Sequence, residues 1–286
     1  MKALTDSHEW IEMERGQVIF ADDEQGRLYV PVKDLPNPEE AKQFPSTTTV
    51  KSMIQGNIGK TRIQRWRDRL NDPTQVLYWY QARGEIAHEF TYEKIAKERP
   101  EIEHSADIEL PRKKLEEDYD LNYFPLADDP YDQYAITSGQ WASDQLSEAL
   151  LEDIKEVIMV EQYVVNEEVG YAGQFDLLYL SEDNNLVLTD LKTAQQLHDD
   201  YRFQISAYYC AMPWDDIIGE VEAEHNIEVN DIECQIIRAN PETRTLQVET
   251  CSDWRADPED YFGKFEEMCR KFRFKKLPIK SVVSGL

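Results

Sequence analysis

Cysteine is scarce in this chain. Cys210, Cys234, Cys251 and Cys269 are the only four in 286 residues, and no two stand in a C-x-x-C pair. That spacing gives a zinc ribbon or an iron–sulphur cluster nothing to build on, so no iron–sulphur cofactor is expected. No secretion signal is expected, and no apolar run is long enough to cross a bilayer. The expectation is a soluble, reducing, intracellular or cytoplasmic protein without a membrane partner. Repeats and heptads are also missing. Positive charge is the other shortage: 31 Lys and Arg stand against 57 Asp and Glu, for a formal net charge of -26. Such a field slows the approach of a polyanion and weakens non-specific binding to nucleic acid. Three accounts of the acid are open: a surface adapted to high salt, where screening is nearly complete within about 3 Å at 1 M; a surface that imitates or repels nucleic acid; or acid on remote faces with basic patches elsewhere. Clustering of the basic residues favours the first and third together.

Two basic clusters carry this reading. In Lys60-Thr-Arg62-Ile-Gln-Arg65-Trp66-Arg67-Asp-Arg69, the residues Arg62, Arg65 and Arg69 share one face of a predicted helix, and Trp66 offers a stacking surface. The second, Arg270 to Lys276, ends a predicted helix that begins near Asp257. Cations at a helix C-terminus are also favoured by the helix dipole alone.

The strongest local pattern is a hairpin. Tyr171 to Leu180 and Leu186 to Thr193 are apolar or alternating, and the polar stretch from Ser181 to Asn185 between them is turn chemistry. Symmetry about Asp183 sets Asp176 opposite Asp190. Facing side chains on an antiparallel pair lie about 5 Å apart at Cβ, where like charges repel, so a cation between them is expected. The period of two puts Leu186, Leu188, Asp190 and Lys192 on one face, with the charges at the rim of an apolar layer. This is the pattern of a site for a hard metal ion with a lysine beside it. An Asp-x-Lys triplet alone is commonplace, so its neighbours decide its meaning.

Asp199 to Met212 reads as a helix with Phe203, Ala207 and Cys210 on one stripe, and it places Gln204 and Tyr208 four residues apart on another face. Gln75 to Glu98 reads as a longer helix. In it Gly84 and His88 are also four apart, and a glycine costing about 1 kcal/mol there suggests close approach by another group. Glu161 falls in an apolar strand from Val157 to Val165, in phase with Met159 and Tyr163.

Taken together, Gly84-x-x-x-His88, Glu161, Gly173-x-x-Asp176, Asp190-x-Lys192 and Gln204-x-x-x-Tyr208 resemble the PD-(D/E)XK nuclease superfamily and its RecB-like exonuclease branch. Phe44-Pro45-Ser46-Thr47-Thr48-Thr49-Val50, Ile63-Gln64-Arg65-Trp66 and the Arg83-Gly84 helix look like phage-type nucleases and the mitochondrial genome maintenance exonuclease type. The likeness covers roughly residues 44 to 98 and 157 to 212. Unlike relatives with a four-cysteine cluster, this chain has no such set.

The resemblance implies a Mg²⁺- or Mn²⁺-dependent DNA nuclease, an exonuclease acting at DNA ends in replication, recombination or repair, with proteins of those processes as further partners. The candidate sources then include viruses, and the acid load adds organisms of high salt and their viruses. Asp176, Asp190 and the Leu191 carbonyl, joined by Glu161, would hold one or two ions through oxygen donors and retained waters. Lys192 would orient or deprotonate the attacking water. His88 would assist a metal, and Gln204, Tyr208 and Arg83 would contact nucleic acid together with Arg62, Arg65, Trp66 and Arg69. Ser46 and Thr48 form either a helix cap or a phosphate seat. The alternative is a catalytically inert nucleic-acid-binding or assembly protein on the same fold.

The expected architecture is α/β, with a restriction-endonuclease-like core of mixed central sheet flanked by helices, in a single nuclease domain over 1–286. Residues 1–45 form an N-terminal hairpin (Gln17 to Val32) and lead-in, and 99–136 an acidic insertion or flap. The core spans 137–250, and a basic C-terminal helix occupies 251–286. Helices are expected near 46–56 and 60–70, and from Ser138, as the cap, to Glu156. A second hairpin pairs Ile232 to Ala239 with Arg244 to Thr250.

Overall fold

The computed structural model describes residues 18–23, 26–31, 42–54, 73–98, 130–251 and 258–271. Its centre is a mixed five-stranded sheet flanked by helices. The elements are β1 (Val18–Asp23), β2 (Gly26–Pro31), β3 (Phe44–Pro45), α1 (Thr47–Ile54), α2 (Pro73–Glu98), α3 (Pro130–Leu151), β4 (Ile154–Val160), β5 (Tyr163–Asn166), β6 (Tyr171–Gln174), β7 (Leu177–Ser181), β8 (Leu186–Lys192), α4 (Asp199–Tyr209), α5 (Trp214–His225), β9 (Ile232–Asn240), β10 (Thr245–Thr250) and α6 (Pro258–Lys271). Pro73, Pro130 and Pro258 each open a helix, where the missing N–H costs nothing and the fixed φ suits the first turn.

The central sheet runs β10-β9-β8-β7-β4, with only β8 and β9 parallel. Alternation along β8 sends Val187 and Leu191 to a core shared with α2 and α3, where Ala87, Tyr92, Leu146 and Leu150 pack. Leu186 and Leu188 point the other way, to a core with Ile205 and Tyr208 of α4 and Ile217 and Val221 of α5. Both faces of β8 are therefore buried, as a strand with a parallel neighbour requires.

Several expectations change. The long strand read from Tyr171 to Leu180 is two strands, β6 and β7, broken at Phe175–Asp176. The strand read from Val157 to Val165 breaks likewise at Glu161, whose φ of 48° is left-handed. The breaks are partners: Glu161 N donates to Asp176 O at 2.9 Å, and Phe175 N to Gln162 O at 3.0 Å. The chain thus forms one antiparallel ribbon that bends, with β4–β7 in the main sheet and β5–β6 in a separate pair. The helix expected from Ser138 begins eight residues earlier, at Pro130. Ser138 is interior, its hydroxyl donating to Ala135 O at 3.2 Å, and Ile154 belongs to β4. The acid-rich α5, with Asp215, Asp216, Glu220, Glu222 and Glu224, was not anticipated. The segment from 60 to 70, most of the 99–136 stretch and residues 272–286 lie outside the described residues. Among the described residues, no helix is long and apolar enough to cross a membrane.

Candidate active site

The hairpin register is the expected one. Leu177 faces Thr189 and Leu178 faces Leu188, which carries Asp176 to the level of Asp190 just beyond the paired strand. The two side chains are held differently. Asp176 Oδ2 accepts a 2.6 Å bond from Leu191 N, tying the ribbon's bend to the end of β8. Asp190 is 1% exposed, and no well-aligned hydrogen bond reaches either of its carboxylate oxygens. What balances it is Lys192, whose Nζ lies 2.7 Å from Asp190 Oδ2 and 3.8 Å from Asp176 Oδ2. Lys192 thus stands beside both carboxylates, as its place on the same face of β8 leads one to expect, and its Nζ is 5.4 Å from the centre of the Tyr201 ring.

Burial sets the electrostatics. It pushes the Asp190 carboxyl up to about 6, against the pull of Lys192. Burial alone would lower Lys192, but the Asp190 and Asp176 charges outweigh it and hold the ammonium above its ordinary range. A buried Asp paired with a largely buried Lys is also found as a purely structural contact, so the pair by itself does not define chemistry.

His88 comes in from α2 as expected. Its Nε2 lies 3.1 Å from Leu191 O and its Nδ1 3.9 Å from Asp176 Oδ1. A carbonyl only accepts, so Nε2 is the donor of the first contact, and Nδ1 faces the Asp176 carboxylate. One turn on, Tyr92 donates to Asp176 O at 3.0 Å. Its hydroxyl is raised well above its usual range, first by burial and then by Glu161, Asp176, Asp190 and Glu89. Glu161 thus reaches the acidic corner through its backbone bond and its charge, although it sits at a bend and not in a strand.

The α4 residues also converge. Tyr208 is buried against Gly173, where any Cβ would overlap Cε1 of its ring, so the glycine is what admits the tyrosine. Gln204 Nε2 donates to Tyr208 Oη at 2.6 Å, and Lys51 Nζ donates to Gln204 Oε1 at 3.1 Å and Asp200 O at 2.7 Å. Burial brings Lys51 down to about 8, with Asp200 and Asp190 opposing that fall.

Other expected residues are placed as follows. Arg83 is 4% exposed and bonds Thr193 O at 2.7 Å and Glu242 Oε1 at 2.7 Å, which ties α2 to the end of β8. Ser46 is a buried cap: its Oγ accepts from Thr49 N at 3.0 Å, and it bonds the exposed Thr48 hydroxyl at 2.9 Å. Among the described residues, Gly84 has only Thr193 Oγ1 within 4 Å of where a Cβ would stand, at 3.9 Å, and none of them makes the close approach expected there. Arg62, Arg65, Trp66 and Arg69 lie outside the described residues. Arg270 and Lys271 pair with Glu266 and Glu267 one turn back on α6.

Sequence reasoning missed Tyr92, Lys51 and Tyr201. Two carried a readable signal: Tyr92 extends the Gly84–His88 ladder by four residues, and Tyr201 stands three before Gln204 and seven before Tyr208 on one stripe. Lys51 had only its place four residues after Thr47.

Among the described residues, no three His, Cys, Asp or Glu side chains are grouped so as to hold a metal ion. The donor chemistry nonetheless suits a hard cation: Asp176, Asp190 and the Leu191 carbonyl are oxygen donors, one of them main-chain and so outside any count of side chains. The buried Asp190 carboxylate, which has no well-aligned hydrogen bond and only Lys192 as a charge partner, is what such an ion would satisfy. No protein-family model and no curated protein matches this chain.

Proposed function

We propose that the chain is a divalent-metal-dependent nuclease on a PD-(D/E)XK-type core, hydrolysing phosphodiester bonds at DNA ends. The observation that carries this reading is Asp190, a buried carboxylate without a well-aligned hydrogen bond, set level with Asp176 and beside Lys192 at the end of a central strand. Asp176, Asp190 and the Leu191 carbonyl would hold Mg²⁺ or Mn²⁺, with Glu161 and His88 at its margin. A bound ion supplies a more acidic water and charge stabilisation at the phosphate.

The chain's own groups do the rest. Lys192, 2.7 Å from Asp190 and 3.8 Å from Asp176, would orient the attacking water and neutralise charge on the phosphate oxygens. His88 fixes the Leu191 carbonyl through Nε2. Tyr92 and Leu191 N hold Asp176 at its backbone and side chain, so that carboxylate does not swing. Gln204, locked by Lys51 and Tyr208, offers a rigid polar edge to the nucleic-acid strand. DNA ends are the expected substrate, with replication, recombination or repair as the setting.

One observation favours a second reading. Lys192 already sits 2.7 Å from Asp190, so the corner is partly balanced without a metal, as an inert nucleic-acid-binding protein on the same fold would have it. Digestion of end-labelled linear and covalently closed circular DNA separates the two. With Mn²⁺ or Mg²⁺, at low and molar salt, the nuclease reading expects loss of linear DNA, reduced at least 100-fold in Lys192→Ala. Cleavage of circles would move the assignment to an endonuclease. Folded wild-type protein that cuts nothing leaves the binding protein.

A further inference from the structure

Beside the acidic corner lies a polar cleft of about 320 Å³, lined by Gln195, Arg202, Arg238, Gln247 and Glu249. Its position is set by register. Lys192 of β8 pairs with Arg238 of parallel β9, so the two side chains leave the same face of the sheet on strands about 4.8 Å apart. Arg238 is therefore the next cation in a row that begins at Lys192.

The wiring of the cleft leaves that cation unbalanced. Arg202 is neutralised: Nε donates to Glu249 Oε1 at 2.6 Å, and Nη1 to Asp199 at 2.5 Å. Arg238 instead meets neutral acceptors, namely Gln195 O at 2.5 Å, Ala194 O at 3.4 Å and Gln247 Oε1 at 3.1 Å. Its Nε is buried and has no hydrogen-bond partner. Among the described residues, no carboxylate forms an ion pair with it. In a chain with 57 acids, an amide at 247 leaves the guanidinium its full charge. A guanidinium with spare donors is suited to phosphate oxygens.

We propose that this cleft seats the sugar–phosphate backbone of the bound polynucleotide, with Arg238 receiving the phosphate next to the one held at Lys192. The proposal rests on the nuclease reading of the Asp190 corner. Gln195 and Gln247 then orient the guanidinium, and Glu249 restrains Arg202, limiting the positive charge of the cleft to one.

The test is a charge series in the full-length protein: Arg238→Gln, Gln247→Glu and Glu249→Gln. Binding of labelled single- and double-stranded oligonucleotides is read by fluorescence anisotropy with Ca²⁺ present, and cleavage is read separately with Mg²⁺. Arg238→Gln is expected to weaken binding about 10-fold and to flatten the salt dependence by roughly the 0.7–0.9 of one phosphate contact. Gln247→Glu, which keeps an acceptor for Arg238 but cancels its charge, is expected to weaken binding 3-fold or more. Glu249→Gln, which removes one of the two carboxylates that pair with Arg202 and so raises the cleft's charge by one, is expected to tighten it. Misfolding cannot produce that last sign. Wild-type cleavage with binding unchanged across the series would overturn the proposal and leave the nuclease reading standing. Weaker binding in Arg238→Gln alone, with the other two unchanged, would make Arg238 a structural tie of the 194–195 loop and would also overturn it. Wild-type protein that neither binds nor cleaves would remove both.

Discussion

At the scale of single residues, two glycines near the site call for opposite behaviour. A Cβ on Gly173 would overlap Tyr208 Cε1 and stand 3.3 Å from Thr47 Cγ2, and both partners are packed. Gly173→Ala should therefore cost about 1–3 kcal/mol through overpacking. Gly84 lies inside α2, where a Cβ would make only an ordinary 3.9 Å contact with Thr193 Oγ1 among the described residues, so Gly84→Ala should gain about 0.5–1 kcal/mol of helix stability. Thermal melts of the two variants should move in opposite directions. A fall for Gly84→Ala would mean that something beyond the described residues packs there. Asp190 gives a pH-dependent case. Its folded value of about 6 lies above the ordinary 3.8, so this group favours folding fully below pH 4 and that contribution is lost as pH rises through 6. Lys192 stays charged throughout this range. In metal-free buffer, the melting temperature of wild type relative to Asp190→Asn should fall between pH 4 and pH 7, by the equivalent of roughly 2–3 kcal/mol. A difference that is flat with pH would mean the carboxylate is ionised across the range.

At the scale of elements, periodicity made the core readable. The alternation of Leu186, Leu188, Asp190 and Lys192 on one face, the turn at Ser181 to Asn185 and the second hairpin follow from a strand's period of two and need no tertiary information. The convergence of His88, Gln204 and Tyr208 was legible as i, i+4 pairs. The bend in the ribbon was not. An apolar run such as Val157 to Val165 looks continuous in sequence, and only the partner run shows that both break at one level, where Glu161 N meets Asp176 O. The start of α3 was misplaced because Ser138 resembles a cap and Pro130 a loop residue, although proline suits the first helical position. The sequence points to Gly84 for close approach, yet the contacts lie at Gly173, and at Gly139, where a Cβ would stand 2.8 Å from Ile86 Cγ2. A glycine marks missing volume; which neighbour fills it is a tertiary fact.

At the scale of the molecule, the charge of -26 and the cations of the site act over different distances. Exposed acids such as Asp215, Asp216, Glu220 and Glu224 on α5 contribute to a field that reaches a screening length, about 10 Å at 0.1 M salt and 3 Å at 1 M. Self-repulsion should be relieved over that range, so the melting temperature should rise with NaCl; a fall would show that paired charges stabilise the fold more than the excess acid destabilises it. An approaching oligonucleotide meets the long-range field first, and Lys192 and Arg238 only on contact. The association rate constant should therefore rise with salt, opposite to a basic nucleic-acid-binding protein, while the dissociation rate rises as counterions compete for Arg238. Stopped-flow mixing with a labelled oligonucleotide separates the two rates. An association rate that falls with salt would require a basic approach face strong enough to outweigh the net charge, and the cluster from Lys60 to Arg69 would be the first place to look for it.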